Sequence, residues 1–415
     1  MKLLSALVLL FSTPNLQSGN DTIRVTLLQA DSIFLKTNYY LLASAMNIEA
    51  SKAQILQAKL YPNPVFTAEF NAYDPQNDII FHTGPTGQKS FQFQQLVLLG
   101  GKRSSEIEMA KTNAAIAELE FQQLVRELKF KLHSQLFSVA QLLFLLNKQN
   151  HQLDLLDTLL SAYKIQTDKG NLPVKDFVRL KGTYLKLNNN RAELYRMLYT
   201  IQSDLQKLLN IHGFIRFSFE EKELEAYIRN TAMDQLISEA LLNRPEMLIM
   251  HNNNVLAQQY LRYQKSQAVP DLNIYTAYDQ RGGAFVNQWN AGVSLPLPLW
   301  NRNQGNIAMS RYKIKESEFN LASVQNEITS DIENSYALYS HSVSEYLKSK
   351  QLYNQEFETT VEGMTENFQK RNVSIIEFVD FFEAYNDVLS ELVRTRIQLV
   401  EMAERLNLLV GKDIY

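Results

Sequence analysis

The sequence has no cysteine among its 415 residues. This excludes disulfide bonds, thiolate metal centres, a cysteine nucleophile and a lipid-modified N-terminal cysteine. Glycine and proline are scarce, at 14 and 10 residues, which predicts long regular elements joined by few turns. The formal net charge of −3 leaves no broad basic surface, so a DNA- or RNA-binding protein is not expected.

Long apolar runs are also missing, apart from a short one at the start. The block MKLLSALVLLFSTPNLQSGN has one lysine, an apolar run from Leu3 to Phe11 and a polar exit. The run is shorter than the roughly 20 residues that cross a bilayer, and it is typical of an export signal. We therefore expect residues 1–18 to be a signal peptide cleaved near Ser18 or Gly19. A buried N-terminal helix is the alternative.

Enzyme signatures are absent from the sequence as well. The six histidines are isolated, and no HExxH, GxSxG, phosphate-loop or dinucleotide motif occurs. Met247, Met250 and His251 form the best group of soft metal ligands, but helix packing is the simpler explanation of this group. We expect a protein that is not an enzyme, with no catalytic residue, no metal site and no cofactor.

What the sequence does contain is apolar residues at a strict spacing of seven. One row is Val125, Leu132, Val139, Leu146, Leu153 and Leu160, and a second is Phe121, Leu128, Leu142, Leu156 and Tyr163. The C-terminal rows are Phe378, Tyr385, Leu392, Leu399 and Leu406, beside Phe382, Leu389, Ala403 and Val410. Such rows predict supercoiled helices, the first of them about 100 Å long. A dimeric coiled coil is the alternative, which the polar breaks Gln135, Gln149 and Arg396 disfavour.

Four short segments alternate polar and apolar residues, as half-polar strands do. They are residues 64–73, 90–94, 271–279 and 289–295. We expect them to form two β-hairpins, 64–99 and 271–299, with loops at 74–88 and 280–288 that are rich in turn residues. Their length and aromatic ends suit tilted membrane strands, and soluble hairpins with one wet face are the alternative.

The chain is organised as a duplication. Asn171 and Asn372 lie 201 positions apart in similar turns, and Leu99 and Leu299 lie 200 apart. The predicted first repeat is 19–212 and the second is 231–415, with a linker or equatorial segment at 213–230. Each repeat is expected to run helix, hairpin, long helix, tip turn, helix, with tip turns at 169–177 and 370–378.

Cap chemistry supports these turns. Ser374 and Glu377 form a predicted capping box, and Asn171 followed by Pro173 predicts an N-cap with a proline in the first turn. The sequence NRPE at 243–246 predicts another helix start on a first-turn proline.

Four strands cannot close a barrel, and unpaired strand edges in lipid are costly. A trimer would give a 12-stranded barrel with an open lumen, continued by a tube of long helices. The fold class we predict is therefore mainly α with a small β part. The residues expected to face the lumen are Glu69, Asn71, Gln92, Gln94, Asn273 and Ser294. Pro296 and Pro298 are expected to stop the last strand and to form the exit into the next long helix.

The sequence resembles the TolC-like outer-membrane efflux family over nearly its whole mature length. The resemblance rests on the duplicated plan and on four motifs: ALLNRPE (240–246), GVSLPLPLWNRNQG (292–305), GNLPVKD (170–176) and NVSIIEFVD (372–380). The second motif is similar to the branch that works with RND-type heavy-metal pumps. Many members of that branch carry an N-terminal lipid-modified cysteine, which this chain lacks.

The resemblance implies a homotrimer in the bacterial outer membrane, with its helical barrel in the periplasm. It implies that a periplasmic adaptor and an inner-membrane RND-type pump are partners. It also implies that Glu377 and Asp380 ring the closed end of the pore. The adaptor-docking tip residues would be Gly170, Asn171, Leu172, Pro173, Asp176, Asn372, Val373 and Ser374. The function expected is a passive exit duct for small molecules or metal cations. A soluble periplasmic adaptor with long helical hairpins and a diffusion porin are the alternatives.

Overall fold

The computed structural model describes residues 22–282, 284–353 and 355–415. The predicted signal peptide, residues 1–18, lies outside the described residues. The described chain is mainly helical with a small β part, as predicted. None of its described helices combines the length and the apolar character that a bilayer crossing requires.

The elements follow one another in an order that repeats. The strands are β1 Thr22–Val25, β2 Val65–Phe70, β3 Tyr73–Asp74, β4 Ile79–Ile80, β5 Gln88–Val97, β6 Phe214–Phe217, β7 Leu272–Arg281 and β8 Phe285–Ser294. The first helices are α1 Leu27–Thr37, α2 Tyr39–Ala58, α3 Lys102–Asp168, α4 Val174–Leu209 and α5 Glu223–Ala226. The others are α6 Met233–Asn243, α7 Pro245–Gln267, α8 Gln304–Leu352, α9 Gln355–Gln369 and α10 Ile375–Val410.

The chain divides into two compact units, and each draws on both halves of the sequence. Among the described residues, the first unit holds 22–38, 131–227 and 342–401, and the second holds 39–130, 228–341 and 402–415. The helices α3, α8 and α10 each contribute residues to both units. The packing units therefore do not coincide with the predicted repeats, because each unit contains segments of both repeats.

The core of the first unit includes four of the predicted heptad residues, Leu153, Leu156, Phe378 and Phe382. Four of its helices, α3, α4, α9 and α10, meet in one buried cluster: Leu153, Leu156, Leu159, Leu180, Leu187, Phe368, Ile375, Phe378, Val379 and Phe382. The rings of Phe368 and Phe378 stack with their centroids 4.1 Å apart. Stacked aromatic pairs add to the burial of apolar area, so this cluster fixes the ends of the four helices against one another.

The second unit holds a four-stranded antiparallel sheet of order β2-β5-β7-β8. Its register pairs Phe66 with Phe93 and Phe91 with Tyr278, and it pairs Tyr278 with Trp289. Neighbouring rings on this face are 5.5–6.3 Å apart between centroids. The predicted alternation is thus confirmed, because paired residues share a face and the aromatic residues form one continuous row.

The opposite face of the sheet is polar. Glu69, Gln92, Gln94, Asn273 and Ser294 all lie on it by register. The amide of Gln94 donates to Asn273 Oδ1 at 3.1 Å across the pair β5–β7. Asn71, which was predicted to belong to this set, lies beyond the end of β2, where its backbone N–H donates to Gln88 O at 3.1 Å.

The strand bounds differ from the sequence prediction at several ends. The strand β2 stops at Phe70, whereas β5 and β8 are each 10 residues long and start earlier than predicted. The predicted loop 74–88 contains a small hairpin, β3–β4. Asp74 holds this loop: its carboxylate accepts from Asn77 Nδ2 at 2.7 Å and from Gln76 N at 2.9 Å, and it lies 2.7 Å from His82 Nδ1.

A parallel strand pair in the first unit was not predicted at all. The strands β1 and β6 pair in parallel from Thr22–Phe214 to Val25–Phe217. The buried Gln202 of α4 clamps the second strand, because its amide accepts from Ile215 N at 2.8 Å and donates to Ile215 O at 2.6 Å. The strand β6 lies in the segment 213–230, which was predicted to be a linker or equatorial region, whereas β1 lies at the start of the predicted first repeat.

The second unit also contains a buried ion pair next to the sheet. Lys102, the first residue of α3, is 5% exposed, and its Nζ lies 2.7 Å from Asp271 Oδ1. The same carboxylate oxygen accepts from Leu99 N at 3.0 Å. Asp271 thereby ties the exit of the first hairpin to the start of the second. At the other end of the helix that precedes Asp271, Pro245 opens α7 as its first residue, as the NRPE sequence predicts.

Candidate pore gate and docking site at the two tip turns

The first tip turn closes the C-terminus of α3. Gly170 has a φ of 74° and donates from its N–H to Thr167 O at 2.9 Å, while Asn171 N donates to Gln166 O at 2.9 Å. These two bonds are the Schellman pattern, which needs a left-handed residue after the helix. Glycine adopts that conformation without a steric penalty, so Gly170 explains why the helix ends here.

The second tip turn has the same construction, with arginine in place of glycine. Arg371 has a φ of 65° and donates from its N–H to Phe368 O at 3.0 Å, and Asn372 N donates to Asn367 O at 2.8 Å. The Asn372 side chain donates to Asn367 Oδ1 at 3.2 Å, just as the Asn171 side chain donates to Gln166 Oε1 at 2.8 Å. The two turns are therefore equivalent, residue by residue, at an offset of 201.

One prediction about the first turn is wrong. Asn171 was expected to N-cap α4, with Pro173 in its first turn. The helix starts at Val174, Pro173 is itself the N-cap residue, and Asn171 bonds backwards to α3. The reason is that the Schellman pattern already uses Asn171 to close the preceding helix. Leu172 lines the cavity between the turns, and Asp176 lies in the first turn of α4.

The capping box at the second turn is confirmed. Glu377 N donates to Ser374 Oγ at 3.3 Å, and Ser374 N donates to Glu377 Oε2 at 2.9 Å. The Ser374 hydroxyl also donates to that carboxylate, at 2.7 Å. Hydrogen bonds from the Ser374 side chain, and then from its backbone, lower the pKa of Glu377. The carboxylate is therefore held ionised and oriented at the start of α10.

Glu377 and Asp380 are both exposed and lie three residues apart, so they share one face of α10. Phe378 and Val379 between them are buried in the core of the first unit. The neighbouring cation Lys370 forms its ion pair with Glu366, at 3.2 Å. The arrangement leaves two carboxylates facing water on a helix end whose other face is fixed by packing.

The two tip turns come together around one cavity of about 810 Å³. Its lining includes Leu172, Pro173 and Asp176 from the first turn and Arg371, Val373 and Ser374 from the second. Two large apolar residues of its lining are exposed, Ile165 and Ile376, each at 53%. The sequence predicted the two turns but not the groove between them. The signal that could have indicated the groove is the duplication, because turns at equivalent positions of two repeats are expected to lie side by side.

Pro296 and Pro298 lie elsewhere, in the second unit. The last ladder residue of β8 is Ser294, and α8 begins at Gln304, so both prolines fall in the connection between strand and helix. Among the described residues, no three His, Cys, Asp or Glu side chains form a group that could hold a metal ion.

The sequence of this chain is similar to those of known outer-membrane proteins. Residues 236–412 match the family model described as outer membrane efflux protein. The chain is also 24% identical over 285 residues to the cobalt-zinc-cadmium resistance protein CzcC of Cupriavidus metallidurans. That match covers 68% of this chain and 65% of CzcC, so it spans slightly less than two thirds of the relative.

Solved structures share the fold over almost the whole chain. CusC superposes with a TM-score of 0.76 at 15% identity, covering 93% of this chain and 92% of CusC. VceC of Vibrio cholerae gives 0.71 at 13% identity, with coverages of 94% and 97%, and CmeC of Campylobacter jejuni gives 0.71 at 11%, with 94% and 87%. None of these comparisons supports the alternative of a soluble adaptor. Residues 236–412 therefore match the outer membrane efflux protein family, and the chain has the fold of the TolC-like channels.

Proposed function

We propose that three copies of this chain form the outer-membrane exit duct of a tripartite efflux system. The duct is a passive conduit, and an inner-membrane RND-type pump supplies the energy. A periplasmic adaptor connects the two. The family is one of channels, and we assign the chain no reaction of its own.

The observation that carries this proposal is the open sheet. Within the described residues, β2 pairs only with β5, and β8 pairs only with β7, so the sheet has two free edges. Four antiparallel strands leave these edges running in opposite directions. The edge β8 of one copy can therefore pair antiparallel with β2 of the next copy, and repetition around an axis closes a ring without leaving an edge in lipid.

The two faces of the sheet suit such a ring. The aromatic face is exposed in a single chain, with Phe66 at 65% and Trp289 at 73%, and it would face lipid. The other face carries Glu69, Gln92 and Asn273 and would line a wet lumen. Twelve strands from three copies leave an open interior, whereas eight strands are just filled by side chains.

The tip turns carry the regulated end of the duct in this proposal. Three copies of Glu377 and Asp380 around one axis would form a carboxylate ring that attracts cations and repels anions. The exposed apolar residues around the 810 Å³ groove, with both tip turns, would be the adaptor-docking surface. The docking residues are those predicted from the sequence, and Leu172, Asp176 and Val373 line the groove directly.

The cargo we propose is a metal cation or another small molecule. The name of CzcC assigns that relative to cobalt, zinc and cadmium resistance. A cation-attracting ring at the duct entrance is compatible with such cargo, and it also favours any other cationic solute.

The absence of native cysteine allows a direct test of the ring. Ala68→Cys on β2 and Ala291→Cys on β8 lie on the aromatic face of the two edge strands. The double variant, purified in mild detergent and oxidised, should yield cross-linked dimers and trimers on a denaturing gel. Each single variant is the matched control and should yield no trimer.

A second measurement separates this proposal from its alternatives. The detergent-solubilised protein should have the mass of a trimer and should form discrete channels in a planar bilayer. A soluble monomer, or a double variant that forms no cross-link along a scan of neighbouring positions, would refute the proposal. A monomer that conducts would favour a diffusion porin.

A further inference from the structure

The apolar alternation of β8 continues past the end of the sheet. Within the strand, Trp289 and Val293 are 73% and 67% exposed. Beyond Ser294, the sequence places leucine at every second position, and Leu295, Leu297 and Leu299 are 44%, 70% and 58% exposed. Trp300 follows at 85%. Six residues without ladder partners thus carry four large exposed hydrophobic side chains, which is unusual for a connection.

The equivalent segment of the first repeat is built differently. At an offset of 200, Gln95 stands where the second repeat has Leu295, and Gly100 where it has Trp300. Gln95 donates from its amide to Pro62 O at 2.9 Å. Gly100 has a φ of 71°, and a Cβ there would lie 2.7 Å from Val269 Cβ. The first exit is a tight turn against Val269, just beyond α7. Its apolar residues Val97 and Leu99 are less exposed than Leu297 and Leu299, with Val97 half-buried and Leu99 at 37%, so the strongly exposed segment is a feature of the second exit.

The backbone of this segment suits an apolar medium. Pro296 and Pro298 have no N–H, and Leu299 N donates to Leu297 O at 2.9 Å. Three of the four residues 296–299 therefore present no unsatisfied donor. Unpaired backbone N–H groups are costly in lipid, and this cost disfavours irregular backbone there. The two prolines have no N–H group, so they remove much of that cost.

The segment ends in polar anchors to the protein. Arg302 donates from Nε to Pro298 O at 3.2 Å, and Asn303 donates from Nδ2 to the Gln264 carbonyl oxygen at 2.7 Å. A cation next to exposed leucines and a tryptophan is the arrangement found at the boundary between acyl chains and phosphate headgroups. The anchors also hold the segment in place while its apolar side chains remain exposed.

We infer that residues 295–300 form an interfacial membrane anchor, in which Leu297, Leu299 and Trp300 enter the phospholipid leaflet on the periplasmic side. This inference rests on the proposed function, since it needs the aromatic face of the sheet to contact lipid. The apolar stripe of β8 is continuous with the segment, which is why lipid is the occupant we assign. A neighbouring copy of the chain is the competing occupant.

The chain contains only two tryptophans, Trp289 and Trp300, and both serve as probes. The variant Trp289→Phe leaves Trp300 alone, and Trp300→Phe leaves Trp289 alone. Each is placed in phosphatidylcholine nanodiscs that contain lipids brominated near the headgroup or near the chain end. Iodide in the buffer is the aqueous quencher. We expect Trp300 to be quenched several-fold more by bromine near the headgroup than by bromine near the chain end, and to be protected from iodide.

A third probe controls for general lipid proximity. Tyr312→Trp, in a chain that carries Phe at both native tryptophan positions, places the fluorophore on α8 at a residue that is 72% exposed. This probe should respond to iodide and not to brominated lipid. Lipid quenching of Tyr312→Trp equal to that of Trp300 would overturn the assignment of the anchor to residues 295–300.

The outcomes are distinct. Quenching of Trp300 by iodide without lipid quenching would show that the segment lies in water, and protection from both quenchers would show that a second copy covers it. Either result overturns the anchor while Trp289 remains quenched by lipid. If Trp289 also escapes lipid quenching, the membrane-facing sheet itself is refuted, and with it the proposed function.

Discussion

The buried ion pair between Lys102 and Asp271 gives a prediction with a calculable size. Its Nζ–Oδ1 distance is 2.7 Å, and the two side chains are 6% and 23% exposed. Asp271→Asn keeps an oxygen that can accept from Leu99 N but leaves the Lys102 ammonium buried without a counter-charge. Breaking such a pair costs about 3–5 kcal/mol. We expect the lower end, about 3 kcal/mol per protomer, because water reaches part of the Asp271 side chain.

Two further variants divide this cost. Asp271→Ala also removes the acceptor of Leu99 N and should cost about 1 kcal/mol more. Lys102→Met combined with Asp271→Asn removes the buried charge altogether and should recover most of the loss, since a buried pair can be replaced by apolar groups at little cost.

The assay is denaturant unfolding in detergent, followed by the loss of helical circular dichroism. All variants are compared at one protomer concentration, because association contributes to the apparent free energy of unfolding. The matched control is Glu316→Gln, which removes the partner of Lys313. That pair has the same 2.7 Å distance, but its side chains are 57% and 54% exposed. The control should cost less than about 1 kcal/mol. If Asp271→Asn costs no more than Glu316→Gln, burial does not control the strength of this contact and the reasoning is wrong.

Three other predictions concern the turns and loops. Glu377→Gln with Asp380→Asn should lower cation selectivity in planar bilayers, whereas Ser374→Ala, which breaks the capping box but keeps both charges, should not; unchanged selectivity in the double variant would contradict the carboxylate ring. Arg371→Gly should stabilise the protein by about 1 kcal/mol, because it relieves a left-handed arginine, and a lower melting temperature would show that the arginine side chain matters more. Hydrogen bonds, from Asn77 first and then from His82, lower the pKa of Asp74 to about 2. Because this folded-state pKa is below the ordinary 3.8, the contribution of Asp74 to the stability of the 74–88 loop should be complete above pH 4 and lost as the pH falls towards 2. Backbone hydrogen exchange in this loop should then become faster. Asp74→Asn should remove that pH dependence.

The sequence predicted those parts of the fold that a period encodes. The heptad residues Leu132, Leu153, Phe378 and Leu399 are all buried in the structure. The alternating strands pair so that polar and apolar residues separate onto two faces. Both kinds of period persist over many residues, so a few mismatches do not obscure them.

Features that depend on a single residue, or on pairing between distant segments, could not be predicted from the sequence. The strands β1 and β6 have four residues each and pair across about half of the chain, which leaves no local signal. The role of Asn171 was misassigned because one asparagine can close the helix before it or start the helix after it. The left-handed Arg371 is hidden because arginine disfavours that conformation, and only alignment with Gly170 reveals it.

The equivalence of the two tip turns has a consequence for symmetry. The helices α4 and α10 are both 36 residues long and start 201 positions apart, so the backbone of the proposed trimer would be close to sixfold at its tips. The side chains do not follow that symmetry. At the positions of Glu377 and Asp380, the first repeat carries Asp176 and Arg179. The charge pattern would therefore repeat three times where the backbone repeats six times. A partner protein that contacts the backbone would find six similar sites. A charged solute would instead experience an electrostatic potential with threefold symmetry.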